Sequence, residues 1–234
     1  RALIGRIKKE MLFLEDIKNR FESIENIFEI GAHVGMDVPK MLEAWPDAQV
    51  YAFEADPHNY EACYKNIGNN KNTHLYNVAV TDYTGTVSFN RFFDVESVPH
   101  EELDKGMNFQ YTGQGSVMGL GVGMKELFRV KETVQKLDVP CTSLVDFCSA
   151  NNIPSIDALF MDVQGAEQNV LNGCSNMLRN TKAVVFEWST NILLYEGETD
   201  FLNIKQFLED LGFYEHSREY QLQGISGDSL FLRK

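Results

Sequence analysis

Apolar residues along this chain recur with two different periods. Nearly continuous apolar runs at Ile27–Ile30, Gln49–Phe53, Thr73–Val80, Asp157–Val163 and Ala183–Trp188 read as strands, the later ones buried on both faces. Between them the spacing becomes helical. In residues 1–22, Ile4, Ile7, Met11 and Leu14 predict an amphipathic helix packed on the domain. Asp37 is placed to cap a helix with Pro39 in its first turn and Val38, Met41, Leu42 and Trp45 on one face; Pro46 ends it. Asp56-Pro57 starts a helix reaching about Ile67, Ser143 to Asn151 forms another, and a further one from Ala166 presents Val170, Cys174, Met177 and Leu178. Phe201, Ile204, Leu208 and Leu211 mark the last, ended by Gly212.

The remainder reads as turns, edge strands and one irregular segment. Asp82-Tyr83-Thr84-Gly85 is a turn leading into an added strand that ends near Phe93. From about Asp94 to Leu137 no period holds, and five glycines fall between Gly113 and Gly123. Closing strands at Tyr214–Leu222 and Ser229–Leu232 form an antiparallel edge hairpin. Strands alternating with helices imply an α/β, doubly wound and mostly parallel sheet with right-handed crossovers. We expect one domain over residues 23–234, carrying a mobile glycine-containing insertion at about 94–137.

Composition narrows the partners. The net charge of −13 comes with no basic stripe, which disfavours nucleic acid and anionic membrane surfaces. No apolar run approaches the roughly 20 residues of a membrane span. The four cysteines form no C-x-x-C pair, which points away from a zinc framework or disulfide scaffold and towards reduced thiols in a cytoplasmic protein. The chain starts at Arg1 without a methionine, as part of a larger multidomain protein would.

The candidate chemistry lies where strands meet helices. Ile27 to Gly35 reads I-F-E-I-G-A-H-V-G, and Glu54 ends the next strand. A tight turn into a helix N-terminus marks the ligand-binding end of an open α/β sheet. A dinucleotide requires G-x-G-x-x-G, yet the second slot holds His33 and the third Met36. No P-loop string is present. S-adenosylmethionine lacks the diphosphate; it needs close backbone approach for its amino-acid end and an acid for its ribose hydroxyls. The segment Glu29 to Gly35 supplies the first and Glu54 the second. Alternatively, Gly31 and Gly35 serve only the turn and Glu54 is a solvated strand-end acid.

The strings F-E-I-G-A-H-V-G, Y-A-F-E-A-D-P, N-V-A-V-T-D-Y-T-G and L-F-M-D-V-Q-G-A-E-Q-N-V-L-N-G resemble the successive signatures of FkbM-type methyltransferases, from about Ile27 to Trp188. The resemblance implies a Rossmann-like class I methyltransferase fold with a seven-stranded sheet. It also implies O-methyl transfer from S-adenosylmethionine, often to sugars, glycans or polyketides. It suits the methyltransferase domain of a multidomain viral glycan-synthesis protein. This chain departs from the family pattern in two places: the usual D-V-E-G reads Asp162-Val163-Gln164-Gly165, and F-E-P-N-P reads Phe53-Glu54-Ala55-Asp56-Pro57. The first change removes a carboxylate and any metal-binding role it would have; we expect no metal site.

Methyl transfer to a hydroxyl needs oxygen, methyl and sulfur aligned, with a base to take the proton. Asp162, ending the fourth buried strand, is the first candidate base, and Glu187 in V-V-F-E-W the second. Capping the following helix competes for Asp162, and a rim salt bridge competes for Glu187. The expected cofactor shell is Glu29, Gly31, Ala32, His33, Gly35, Glu54, Ala55, Asn77, Val78, Ala79, Ser116 and Asp162. Asp82 reads better as a turn former. Trp188 and Tyr195 are candidates for a face on which a sugar ring stacks, and the glycine-rich segment for a lid over it. Two other readings stand beside this one: an NAD(P)-dependent oxidoreductase, and a non-catalytic module that keeps the fold.

Overall fold

The computed structural model describes residues 13–93, 115–123, 133–190, 194–221 and 224–234. The N-terminal part of the expected first helix and most of the insertion lie outside them. Residues 13–20 form helix α1, with Phe13, Leu14 and Ile17 buried against the sheet. β1 (Asn26–Ile30), α2 (Val38–Ala44), β2 (Gln49–Phe53), α3 (Pro57–Ile67) and β3 (Thr73–Tyr76) follow, then β4 (Ala79–Val80), β5 (Gly85–Phe93) and β6 (Thr133–Thr142). The chain continues through α4 (Leu144–Asn151), β7 (Ala158–Met161), α5 (Glu167–Asn172), β8 (Ala183–Ser189), α6 (Phe201–Asp210), β9 (Phe213–Gln221) and β10 (Ser226–Arg233).

Seven strands form the main sheet in the order β3-β2-β1-β7-β8-β10-β9. β3, β2, β1, β7 and β8 run parallel, and β10 pairs antiparallel with both β8 and β9. This is the expected doubly wound sheet with an antiparallel edge hairpin. Alternation along each strand splits the core in two. Phe28, Ile30, Leu159, Met161 and Phe186 face α4, α5 and α6, whereas Ile27, Val50, Ala52 and Ala158 face α1, α2 and α3. All four cysteines are buried. Among the described residues no helix is long and apolar enough to cross a membrane.

Three local expectations are corrected. The third strand stops at Tyr76, because Asn77 donates its side-chain amide to the Glu54 and Ala55 carbonyls and the chain swings away. It resumes as β4 in a second sheet of order β4-β6-β5, where Ala79 packs with Phe89, Val139 and Cys141. The strand closing the insertion starts at Thr133 rather than Val139, since it pairs with β5 along that strand's length. Asp37 occupies the helix N-cap position without capping; its carboxylate takes the Lys40 ammonium at 2.5 Å.

An ion pair anchors the small sheet to the large one. Arg91 of β5 donates through two nitrogens to the Asp56 carboxylate, and both side chains are almost wholly buried. Asp56 also caps α3 by accepting from the His58 amide at 2.8 Å. Removing one partner of a buried pair strands the other charge. We therefore expect Arg91→Met to lower unfolding free energy by about 3–5 kcal/mol. Asp56→Asn added to it should cost much less than the sum of the single changes, as read by urea denaturation of the two variants and the pair.

Candidate functional site

The turn after β1 is built by the chain's own crossing. Gly31 has φ 88°, and a Cβ there would lie 2.0 Å from the Asp162 carbonyl oxygen. The amides of Gly31 and Ala32 both donate to the Phe53 carbonyl at 2.9 Å, tying the turn to the end of β2. His33 follows at φ 51° and its amide donates to Glu54 Oε2 at 2.7 Å. Glu54 Oε1 accepts from the Asp56 amide at 2.8 Å. The Glu54 carboxylate thus joins the β1 and β2 turns and is buried rather than solvated. Burial pushes its pKa from the ordinary 4.5 up to about 8, against the lowering effect of the two amides. Gly35 backs onto α3: a Cβ there would meet Cys63 Sγ at 2.8 Å.

Opposite this turn, the ends of β7 and β8 hold the two expected bases. Asp162 and Glu187 are half-buried, and the Gln164 carboxamide lies between them. Gln164 Nε2 donates to Asp162 Oδ1 at 2.5 Å and to Glu187 Oε2 at 2.6 Å, while the Tyr195 hydroxyl donates to Gln164 Oε1. The amide orientation follows from chemistry: carboxylates only accept, so the NH2 faces them and the carbonyl faces the phenol. Burial and the nearby carboxylates push the Tyr195 pKa well up, keeping it a neutral donor. Asp162 does not cap the next helix. Glu167 holds that turn instead, accepting from the Val163 and Gly165 amides, and burial raises its pKa to about 8.

A cavity beside Gly31 joins the two halves. Its lining includes Glu29, Gly31, Asp37, Lys40, Asp162 and Asp228. Of the expected cofactor shell, Glu29, Gly31 and Asp162 line it, His33 and Glu54 meet through one hydrogen bond, and Asn77 braces the Glu54 carbonyl. Ala32 is buried in the core, Val78 packs on the α4 face, and Ala55 and Ala79 pack in the small-sheet cluster. Ser116 is buried, and its hydroxyl donates to the Gln164 carbonyl at 2.8 Å, so it clamps the site turn from behind. Asp82 is exposed in its turn.

Trp188 and Tyr195 do not form the open sugar platform the sequence suggested. Adjacent strand residues point to opposite faces, so Trp188 is turned away from Glu187 and buried against Phe201. Tyr195 does reach the site, but it is buried with its hydroxyl committed to Gln164. Residues 115–123 of the insertion are strapped down on both sides. Ser116 exchanges backbone bonds with Asn90, and Gly119 and Gly121 bond to Glu196 and Leu194.

Sequence reading missed Gln164, Glu167 and Arg91 as structural agents. A signal existed for Gln164, which stood out as a departure from the family pattern, but only as a loss. Glu167 lies two residues past Gly165, a spacing that lets its carboxylate reach back to the amides at the helix start. Nothing local marks Arg91 as the partner of Asp56.

Comparison with known proteins places the chain in a family. The methyltransferase FkbM domain model matches residues 29–214. The chain is 30% identical over 204 residues to the 2-O-methyltransferase NoeI of Sinorhizobium fredii (strain NBRC 101917 / NGR234), covering 87% of this chain and 77% of that protein. In fold it is similar to magnesium protoporphyrin IX methyltransferase (ChlM) from Synechocystis PCC 6803, with a TM-score of 0.51 and 9% identity. That match covers 99% of this chain and 81% of the other. The dinucleotide reading, already opposed by His33 in the glycine slot, is set aside by this kinship. The chain belongs to the FkbM methyltransferase family.

Proposed function

We propose that this chain transfers a methyl group from S-adenosylmethionine to a hydroxyl of a sugar or glycan. The observation that carries this reading is the double position of Asp162, which lines the cavity beside Gly31 and also shares the Gln164 carboxamide with Glu187. One residue thus borders the cofactor side and the acceptor side. The kinship to a 2-O-methyltransferase supports a hydroxyl acceptor. The presence of both Asp162 and Glu187, linked through Gln164 at adjacent strand ends, supports catalysis over a non-catalytic module.

The residues present suit the cofactor. Most of the cavity lining is apolar; its charged part is Glu29, Asp37, Asp162, Asp228 and the Lys40 ammonium, which pairs with Asp37. Glu29 would thus hold the amino group of an α-amino acid and Lys40, on leaving Asp37, its carboxylate. The Glu54 carboxylate retains lone pairs for the ribose hydroxyls, and Asn77 and Val78 border the adenine side. When bound, S-adenosylmethionine supplies an electrophilic methyl on a sulfonium. Asp162 takes the acceptor's proton, and Glu187 orients the acceptor hydroxyl beside it.

Labelled S-adenosylmethionine incubated with a saccharide panel should give a labelled product. Asp162→Asn and Glu187→Gln should each lower turnover, Asp162→Asn by about 10²–10⁴-fold, with cofactor affinity nearly unchanged. Full turnover in both variants would refute the base assignment.

Glu54 supplies a separate check. A ribose hydroxyl donating to Glu54 favours its ionised form, so binding releases a proton while the free-enzyme carboxyl, with its pKa of about 8, is still protonated. Methylthioadenosine has the ribose but no titrating amino group. Its affinity should rise between about pH 6 and about pH 8, by at most about tenfold per unit. In Glu54→Gln this slope should vanish, as measured by calorimetry. An equal slope in both proteins would remove Glu54 from the ribose site.

A further inference from the structure

Three consecutive residues after β2 are held from three directions. The Glu54 carboxylate accepts from the His33 amide at 2.7 Å and so reaches the turn after β1. Ala55 packs in the small-sheet cluster with Ala79, Phe89, Val139 and Cys141. Asp56 turns its carboxylate to Arg91 of β5, which donates to it through two nitrogens. The Asp56 amide points the other way and donates to Glu54 Oε1 at 2.8 Å. Gln135 of β6 accepts from the same guanidinium at 3.0 Å, fixing its plane. The acid proposed for the ribose thus stands on a turn whose next two residues are gripped by the small sheet.

We propose that Arg91 is a positioning residue for the cofactor: through Asp56 it sets the direction and the electrostatic surroundings of the Glu54 carboxylate. This rests on the ribose role given to Glu54 above. The side chains of Arg91 and Asp56 are 3% and 1% exposed, so water screens the pair little. A two-nitrogen contact fixes a carboxylate in its plane. The same carboxylate also accepts from the His58 amide at 2.8 Å. A residue held at both carboxylate oxygens has little freedom left in its amide, and that amide is what Glu54 meets.

Charge acts along the same line. The Asp56 carboxylate opposes ionisation of Glu54, and the guanidinium offsets it. Other groups meet Glu54 from each neighbouring element. His33 comes from the turn after β1, the Asn59 side chain and Cys63 from α3, and Asn77 from the end of β3. Asn59 donates to the carboxylate and favours its charge. Glu29 of β1 acts on the same region through Cys63, whose thiol burial and both glutamates push up, so it stays protonated.

Carboxyl ¹³C titration of Glu54, its signal assigned by loss in Glu54→Gln, reads the electrostatic part without any ligand. Arg91→Met leaves the Asp56 charge uncompensated and should move the midpoint up by about half a pH unit. Asp56→Asn keeps a side-chain cap on α3 but leaves the guanidinium unopposed, and should move the midpoint down by about as much. The double variant should titrate like the parent. Calorimetry with methylthioadenosine reads the positioning part, and Arg91→Met should lower its affinity at pH 7 by about tenfold. Arg91→Lys keeps the charge with one nitrogen in place of two. It should hold the midpoint, lower affinity by about threefold, and carry the test if Arg91→Met does not fold. A purely structural Arg91 would change stability without separating the two midpoints in sign. Midpoints that stay at the parent's value, or move the same way in both single variants, overturn the proposal. So does parental methylthioadenosine affinity in Arg91→Met or Arg91→Lys. If the parent bound no methylthioadenosine, the ribose reading of Glu54 would fail, while the carboxyl midpoints would still judge Arg91.

Discussion

The contact between Gly31 and the backbone of Asp162 sets the geometry from which the site follows. β1 and β7 are neighbours in register, with Ile30 opposite Met161, so each chain must leave the sheet within reach of the other. A Cβ at residue 31 would overlap the Asp162 carbonyl at 2.0 Å, and φ is 88° there. Glycine is demanded by chain crossing before any ligand is considered. The same crossing brings the carboxylate of Asp162 to the wall of the cavity that Gly31 borders.

Two kinds of acid follow from this arrangement. Glu54 and Glu167 are turned inward, and each accepts two backbone amides that the ends of strands leave without ladder partners. Both are almost fully buried, and burial holds both near a pKa of about 8. Asp162 and Glu187 are half-exposed and bound by a side-chain amide instead. The first pair maintains the shape of the turns; of the second, Asp162 lines the cavity and Glu187 is joined to it through Gln164. Sequence alone does not distinguish them, because the distinction lies in which groups each side chain meets in the folded chain.

The small second sheet serves the same end from outside. Arg91 neutralises Asp56, and the Asp56 amide in turn holds Glu54, so a residue of β5 reaches the turn after β2. Ser116 acts similarly on the Gln164 turn. β5 thus braces the turn after β2, and Ser116 of the insertion braces the turn after β7.

What the sequence determined by itself was the sheet and its working edge. Strand and helix periods fix parallel order, and in a parallel sheet every strand's carboxyl end falls on one rim, so Gly31, Glu54, Asp162 and Glu187 could be placed together from spacing alone. Tertiary structure decided how they are partnered. Tyr195 meets Gln164 across 31 residues and Arg91 meets Asp56 across 35, contacts set by loop path and packing rather than by local pattern. It also decided that the third strand breaks at Asn77 and that Trp188 turns its ring into the core. Periodicity records which face of an element is apolar; it carries no record of which distant polar group arrives to meet the other face.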